Sequence, residues 1–446
     1  MAERTATGSR GARDGPSRRV GTLVVLTILI VAFGLRLGAG LWLQKTQGAE
    51  ATGDLGDSRG YRNIADNLVA GRGLVMTDLE VGPSPRYADR MPGYPLILSA
   101  LQAVFGENTV SLLVLQSLVG AATAWLAWRL GRELCSPLAG YLAAAGVAVA
   151  TWQVAFAAVT LTECWSAALL TATMLCVALA VRRGRAAWAA TAGLAGAALA
   201  YVHPEYLGLP AAMLAVALAA PGRRRWLRYW ILGTVVLVAA MGPWWGRNAS
   251  VFGRFVPTTT RLGVSLYDGV RPDATGGSDM EFESRLAPET AGRDELAYDA
   301  MFREMSWRTI RDEPGRVARL AWSKFCRTWS AVAGRDRGAM IHWASMATFV
   351  PMMGGAILAV GLMWRRRLLA AMAAPVVYVT LVHLVMVGSI RYRVPVEPLM
   401  WVLAGVAGAW VAEDRPATGC GLRAAGTADG DNHSDEGRQA RATGSE

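Results

Sequence analysis

The sequence alternates long apolar blocks with short basic linkers, and this pattern limits the fold more than any other feature. Each block is close to the roughly 20 residues that an α-helix needs to cross a bilayer. With 53% hydrophobic and 18% charged residues, the chain is too apolar for an ordinary soluble enzyme. The blocks predict an all-α polytopic membrane protein with about ten spans, near residues 20–43, 109–131, 137–156, 159–181, 186–202, 206–220, 229–246, 341–363, 369–388 and 394–412.

The basic residues indicate which ends of the spans face the cytoplasm. The formal net charge is +11, and most of the arginines beside spans cluster in linkers at 182–185, 223–225 and 365–367. Such clusters are typical of cytoplasmic loops. Alternating ten spans from a cytoplasmic N-terminus places all three clusters on the cytoplasmic side, so charge and hydropathy agree. No basic stripe with interleaved aromatic residues indicates a nucleic acid partner.

The chain is therefore expected to form one membrane domain, residues 20–412, in the inner membrane of a bacterium, with both termini in the cytoplasm. An arginine-rich segment at 1–19 precedes this domain, and a polar, disordered tail at 413–446 follows it. The first apolar run is too long for a cleaved signal peptide, so we expect it to remain as a span. Two long loops, about 44–108 and 247–340, fall on the external side.

Both external loops contain amphipathic stretches. In the first loop, a cap at Asp57 or Ser58 and a stop at Gly71 bracket apolar residues at helical spacing, namely Tyr61, Ile64, Ala65, Leu68 and Val69. The second loop repeats the spacing in Leu296, Met301, Met305 and Ile310, and again over 317–329. A helix with one apolar face beside a span is expected to lie at the membrane interface.

Two carboxylates on the external side of the membrane are the candidate catalytic residues. Insertion of a charged side chain at the centre of a membrane helix costs about 2.5–3.5 kcal/mol of free energy. A charged residue in or beside a span is therefore a sign of a cavity or a pathway. Asp57 in the first loop and Glu163 at the start of a span could accept a proton from an attacking hydroxyl or amine. The alternatives are a helix cap for Asp57 and a water-facing position for Glu163.

Four external arginines are candidate ligands of a phosphate group. Arg90 precedes a stiff Pro-Gly turn, Arg391 and Arg393 flank Tyr392 just before the last span, and Arg247 closes the seventh span. The planar guanidinium group suits phosphate oxygens, which at a membrane surface belong to a lipid phosphate or diphosphate. The alternative for each is an arginine that extends to the lipid headgroups.

His203 and Glu205 lie between two spans, where they could line a cavity and orient a sugar or simply face water. Tyr61, Tyr94 and Tyr392 complete the candidate substrate-binding residues. The sequence contains no P-loop, no G-x-G-x-x-G after a strand and no H-E-x-x-H. Nucleotide hydrolysis and zinc proteolysis therefore have no support.

Taken in this order, the motifs resemble the GT-C glycosyltransferases that use polyprenyl-phosphate-linked sugars, among them the aminoarabinose transferases and the mannosyltransferases that act on proteins. The resemblance runs from Arg36 to Trp410 and rests on six motifs: Asp57-x3-Tyr61 with Ala65 and Gly71; Arg90-x-Pro92-Gly93-Tyr94-Pro95 with Phe105-Gly106; Thr162-Glu163; Pro243-Trp244 with Arg247-Asn248; Phe252-Gly253; and Arg391-Tyr392-Arg393-x-Pro395. It implies that Asp57 is the acceptor-activating base, that Glu163 is a second carboxylate, and that Arg90, Arg391 and Arg393 face the lipid phosphate.

The implied activity is transfer of a sugar from a polyprenyl phosphate to a hydroxyl or amine on the external face, with inversion. The acceptor could be a lipid, a glycan or a protein. Ser58 follows Asp57, and the nearest other acid, Asp54, lies three residues earlier, which departs from the paired acids of many members. No cofactor is therefore predicted, with a divalent metal as the open alternative.

Two other functions fit the sequence features. A flippase or transporter of lipid-linked sugars also needs arginines and a cavity, but transporters often have paired halves, which this sequence does not show. A polymerase or ligase of surface polysaccharides differs mainly in using a lipid diphosphate donor.

Overall fold

The computed structural model describes residues 16–48, 56–77, 79–220, 222–332, 338–363 and 367–413. Most of the predicted N-terminal segment and nearly all of the predicted tail lie outside these ranges. Within them the chain is helical, and the one β-type pairing is an isolated bridge between Met76 and Arg86. The all-α polytopic fold predicted from the sequence is confirmed.

The α-helices of the described ranges follow one another along the whole chain. Short 3-10 segments at Pro204–Gly208 and Val394–Val396 join some of them. The bounds are α1 (Pro16–Gln47), α2 (Gly56–Val69), α3 (Gly93–Phe105), α4 (Thr109–Leu134), α5 (Pro137–Val149), α6 (Thr151–Ala157), α7 (Glu163–Arg183), α8 (Ala186–Val202), α9 (Leu209–Ala219), α10 (Arg223–Phe252), α11 (Leu262–Val270), α12 (Glu281–Arg285), α13 (Ala287–Thr290), α14 (Glu295–Asp312), α15 (Pro314–Thr328), α16 (Ala339–Met363), α17 (Arg367–Val385), α18 (Ile390–Arg393) and α19 (Glu397–Ala412).

Seven helical stretches of the described chain are long and apolar enough to cross a membrane: α1, α4, α7, α10, α16, α17 and the run Ile390–Ala412. The bent pair α5 and α6 makes an eighth if it is counted as one span. The remaining two predicted spans correspond to shorter apolar helices, at Ala186–Val202 and Pro204–Ala219. A helix thus occurs at each predicted span, and the protein is an integral multi-pass membrane protein, although the count of ten is not confirmed.

A bend of 52° separates α5 from α6 at Ala150. A break in a membrane helix leaves backbone carbonyls without partners, which is costly away from water. The fully buried Arg36 of α1 satisfies them, since its guanidinium donates to the carbonyl oxygens of Val147 at 2.8 Å and Ala148 at 3.1 Å. Arg36 is therefore a structural element of the break and does not extend to the headgroups.

The helix predicted in the first loop is present as α2 and ends before Gly71, whose φ of +74° suits glycine. Its apolar face packs against α3 and the start of α4, in a cluster of Tyr61, Ala65, Tyr94, Leu98 and Leu112. The face that was expected to contact lipid is thus covered by protein. This packing fixes the position of the first turn of α2, which contains Asp57.

The second loop has a small core of its own. Aromatic rings from α11, α12 and α14 pack edge to face with neighbouring apolar groups, and its buried members are Val264, Tyr267, Phe282, Tyr298 and Phe302. The stretch predicted to be interfacial forms α15, where Trp322 and Phe325 stack at 5.5 Å and remain exposed. An exposed aromatic pair on a basic helix agrees with the predicted interfacial position.

The two ends of α7 have different partners. Glu163 begins the helix beside the loops, whereas Arg182 and Arg183 near its end pair with Glu133 of α4. A helix of 21 residues is about 30 Å long. The loop residues and this arginine linker therefore lie at opposite ends of the bundle.

Candidate functional site

A cavity of about 360 Å³ lies where the two long loops meet the helix ends. Its walls come from α2, the turn before α3, the link between α8 and α9, the segment 258–268, the end of α17 and α18. Seven of the residues predicted from the sequence line it: Asp57, Tyr61, Arg90, His203, Glu205, Arg391 and Tyr392. Residues far apart in the chain thus form one polar site.

Asp57 joins the two arginines of this site. One of its carboxylate oxygens accepts a hydrogen bond from Arg90 at 2.8 Å, and the other accepts from Arg391 at 2.6 Å. Its side chain is 36% exposed. Asp57 lies inside the first turn of α2, so it is a cavity residue held between two guanidinium groups rather than the helix cap that was the alternative.

Glu163 lies behind Arg391 and does not line the cavity. Its side chain is 1% exposed, and its Oε1 accepts a hydrogen bond from Nε of Arg391. It occupies the first turn of α7, where the helix dipole favours a negative charge. This geometry suits a role of Glu163 in positioning Arg391, because the carboxylate is almost fully buried and is not among the residues that line the cavity.

Asp89, which the sequence analysis missed, contacts three arginines. It accepts from Arg90 at 2.6 Å and from Arg86 at 2.8 Å, and lies 3.4 Å from a guanidinium nitrogen of Arg261. Arg261 also pairs with Glu283 at 2.9 Å. Arg90, Arg261 and Arg391 all line the cavity, so three guanidinium groups face it. Carboxylates in the surrounding protein partly neutralise their positive charges.

The charges around the two aspartates decide their protonation. Burial alone raises the pKa of each carboxyl, but nearby guanidiniums outweigh it, chiefly Arg391 and Arg90 for Asp57 and Arg90 and Arg261 for Asp89. Both pKa values therefore lie below the ordinary aspartate value of about 3.9. The two carboxylates remain ionised at neutral pH.

This shift has a measurable consequence for acid stability. A carboxyl with a lowered folded-state pKa stabilises the fold above its unfolded pKa, and this contribution is lost as the pH falls below about 4. We expect the melting temperature of the purified protein to drop steeply between about pH 5 and pH 3. Asp89→Asn should melt at a lower temperature at pH 7 and show a shallower acid slope; equal slopes would contradict the assignment.

A second group of titratable side chains lines another part of the cavity. Glu205 Oε2 lies 2.9 Å from Nε2 of His383, and Oε1 lies 3.7 Å from Nδ1 of His203. The Tyr378 hydroxyl donates to the backbone carbonyl of Glu205. The ring of His383 stacks on that of Tyr392 with centroids 3.9 Å apart.

The two tyrosines near α2 differ in exposure to the cavity. Tyr61 lines it, and Arg90 lies 5.7 Å from the centre of its ring. Tyr94 is fully buried behind Tyr61, with ring centroids 5.1 Å apart, and its hydroxyl donates to Gln116 of α4. Tyr94 therefore supports the wall and does not line the cavity.

Arg247 and Arg393 do not line the cavity either. Arg247 donates to the backbone carbonyls of Leu74 and Tyr87, each at 2.7 Å, and so ties the first loop to α10. Arg393 is fully buried and pairs with Glu397 at 3.0 Å. These positions give the predicted substrate contacts of both residues no support and explain the residues as structural ones.

Sequence reasoning missed Asp89, Arg261 and His383. Two signals were present: Asp89 directly precedes Arg90, and His383 is an ionisable residue within an apolar span, which is itself unusual. Arg261 has no such signal, because it reaches the cavity through a pairing with a residue 172 positions away.

Within the described ranges, no group of three or more histidine, cysteine, aspartate or glutamate side chains is arranged to hold a metal ion. The oxygens of Asp57 are both bound to arginines. Independence from metal stays a prediction from the sequence.

Comparison with known proteins supports this reading of the fold. Residues 89–245 match the family described as dolichyl-phosphate-mannose-protein mannosyltransferase. The match includes Arg90, Glu163 and Glu205, whereas Asp57 and Arg391 lie outside it. No curated protein sequence matches the chain.

Among solved structures, the archaeal oligosaccharyltransferase AglB from Archaeoglobus fulgidus, in complex with an inhibitory peptide and a dolichol-phosphate, superposes with a TM-score of 0.58 at 13% identity, over 89% of this chain and 51% of that chain. Its apo form gives 0.56 at 13% identity, over 86% and 50%. ArnT from Cupriavidus metallidurans bound to undecaprenyl phosphate aligns at 13% identity over 89% of this chain and 79% of that chain, with a TM-score of only 0.39. This chain spans about half the length of the oligosaccharyltransferase it matches. The chain therefore has the GT-C fold predicted from its sequence, and residues 89–245 carry its match to the mannosyltransferase family.

Proposed function

We propose that this protein is a membrane glycosyltransferase that moves a sugar from a polyprenyl phosphate to an acceptor hydroxyl or amine, with inversion at the anomeric carbon. The main support is the position of Asp57 between Arg90 and Arg391 at an open cavity. The matched family's description names a dolichyl-phosphate-mannose donor, and one AglB structure contains a dolichol-phosphate. A donor of this class has one phosphate group for the three cavity arginines to bind.

The proposed reaction is a direct displacement. The acceptor oxygen or nitrogen bonds to the anomeric carbon while the bond from that carbon to the phosphate oxygen breaks. The lipid leaves as a polyprenyl monophosphate, and its growing negative charge is stabilised by Arg90, Arg261 and Arg391. The acceptor proton passes to Asp57, the one carboxylate among the predicted catalytic pair that lines the cavity.

Donor binding can make Asp57 a better base. In the structure both of its oxygens accept hydrogen bonds from guanidinium groups, and these charges lower its pKa. A lipid phosphate that binds Arg90 and Arg391 competes with Asp57 for the same donors. A carboxylate oxygen is then released toward the acceptor, and its proton affinity rises because the neighbouring positive charge is neutralised.

The arginine linkers support an assignment of the cavity to one side of the membrane. We place the cavity on the external face of a bacterial inner membrane and both termini in the cytoplasm, because the basic linker residues lie at the opposite end of α7. The acceptor is then a lipid, glycan or protein of the cell envelope.

The test compares surface glycolipids, glycans and glycoproteins of a deletion strain with those of the wild type. We expect one sugar to be missing and to return with the wild-type gene and with Glu289→Gln, an exposed control on α13, but not with Asp57→Asn. Unchanged surface sugars, or full rescue by correctly inserted Asp57→Asn, would refute the proposal. Accumulation of a complete lipid-linked precursor on the inner leaflet would instead identify a flippase.

A further inference from the structure

The cavity has a second polar region beside the arginines, and its groups are suited to hydroxyl groups rather than phosphate. It is formed by Glu205 and His203 from the link between α8 and α9, and by His383 from α17. The side chains of Glu205 and His203 are 12% and 15% exposed, and that of His383 is 4% exposed. The first two can therefore touch a ligand, while His383 stands behind them.

Hydrogen bonding fixes the orientation of His383. Its Nδ1 lies 2.9 Å from the backbone carbonyl oxygen of Val387, which can only accept, so Nδ1 carries a proton. Its Nε2 lies 2.9 Å from Glu205 Oε2, and a bond at this distance between the two acceptors requires a further proton between them. One oxygen of Glu205 is thus held by His383, and the carboxylate cannot rotate freely.

The other oxygen of Glu205 is left for a ligand. It lies 3.7 Å from Nδ1 of His203, which is too far for a hydrogen bond. That nitrogen is buried and has no hydrogen-bond partner among the residues that the structure describes. A buried polar atom without a partner is costly, and a hydroxyl group between the two could donate to Glu205 and bond to His203.

This region adjoins the proposed phosphate ligands. Tyr392, whose ring stacks on His383, follows Arg391 directly in the chain. Arg391 and Glu205 line the same cavity and are close enough to interact electrostatically, so a sugar joined to a phosphate at Arg391 can contact Glu205. The Tyr378 hydroxyl, bonded to the backbone of Glu205, further fixes the position of this residue.

We propose that Glu205 and His203 form the subsite that binds hydroxyl groups of the transferred sugar, and that His383 is the positioning residue that orients Glu205. This proposal rests on the proposed glycosyltransferase function. The substrate class is a polyprenyl-phosphate sugar with at least one free hydroxyl group close to its phosphate.

The test measures binding of four lipids to the purified full-length protein in nanodiscs: decaprenyl phosphate, and decaprenyl phosphate carrying mannose, glucose or arabinofuranose. We expect at least one sugar-bearing lipid to bind the wild type about 10-fold more tightly than the bare lipid. Glu205→Gln and His203→Phe should reduce this gain to less than 3-fold and leave the affinity for decaprenyl phosphate unchanged. Glu289→Gln is the matched control and should keep the full gain.

His383→Phe separates positioning from general stability. It keeps a ring against Tyr392 but cannot hold Glu205, so the sugar-dependent gain should fall while binding of the bare lipid persists. Equal loss for bare and sugar-bearing lipids would show a structural role and overturn the assignment of His383. If the wild type binds all four lipids with equal affinity, or if both Glu205→Gln and His203→Phe retain the gain, the subsite is refuted and the transferase proposal stands. Failure of the wild type to bind any of the four lipids would refute the proposed function itself.

Discussion

Replacement of Arg391 by alanine is expected to lower kcat/KM for sugar transfer by about 10³-fold. Removal of one preorganised donor at a developing negative charge typically costs 10²- to 10³-fold, and Arg391 also holds Asp57 in place. Arg391→Lys should retain part of the activity, because the charge remains but the planar fork is lost. The measurement is single-turnover transfer from a polyprenyl-phosphate sugar by purified protein.

Folding and chemistry can be separated at this position. Arg391→Ala alone leaves the carboxylate of Glu163 buried and unpaired, since that side chain is only 1% exposed. The double variant Arg391→Ala with Glu163→Gln removes this charge, so its melting temperature should recover toward that of the wild type while its activity stays low. Arg254→Ala, an exposed arginine after α10, is the charge-matched control. Full activity in a folded double variant would exclude Arg391 from the reaction.

The second large effect concerns stability. Glu397→Ala is expected to destabilise the protein by about 3–5 kcal/mol, because it leaves Arg393 as an uncompensated buried charge. The two side chains are 0% and 3% exposed and pair at 3.0 Å. The double variant Arg393→Met with Glu397→Leu should regain most of this loss, because neither charge remains. Melting temperatures in one detergent provide the comparison.

An exposed pair of the same spacing is the control. Arg308 and Glu304 on α14 lie 3.3 Å apart with side chains 69% and 75% exposed, so Glu304→Ala should change the stability by less than about 1 kcal/mol. If Glu397→Ala and Arg393→Met left the melting temperature unchanged but raised KM for the donor, Arg393 would be a substrate ligand, as its sequence motif suggests.

The two arginines of one motif illustrate what the sequence could and could not predict. Arg391 and Arg393 are equivalent in a linear pattern, but two residues along a helix point about 200° apart. Arg391 therefore faces the cavity and Arg393 the interior. A motif identifies the helical turn that carries the chemistry, and only the packing around that turn decides which side chain reaches the substrate.

Local patterns were sufficient where the physical cause is local. Bilayer-length apolar runs predicted the positions of the membrane helices, and helical spacing with a terminal glycine predicted α2. The network of Asp89, Arg261 and Glu283 could not be predicted in this way, because it joins the two long loops across 172 residues of sequence. Local patterns also could not predict that the apolar face of α2 packs against α3. The same spacing of apolar residues occurs in helices that contact lipid and in helices that contact protein.

The buried Arg36 links the biogenesis of two distant helices. Its carbonyl acceptors at Val147 and Ala148 lie 111 and 112 residues further along the chain, so α1 emerges from the ribosome long before they exist. Until α5 arrives, the lone guanidinium makes release of α1 into lipid less favourable by about 2.5–3.5 kcal/mol. Synthesis of the bent pair α5 and α6 therefore removes a free-energy cost that α1 carries in the membrane until then.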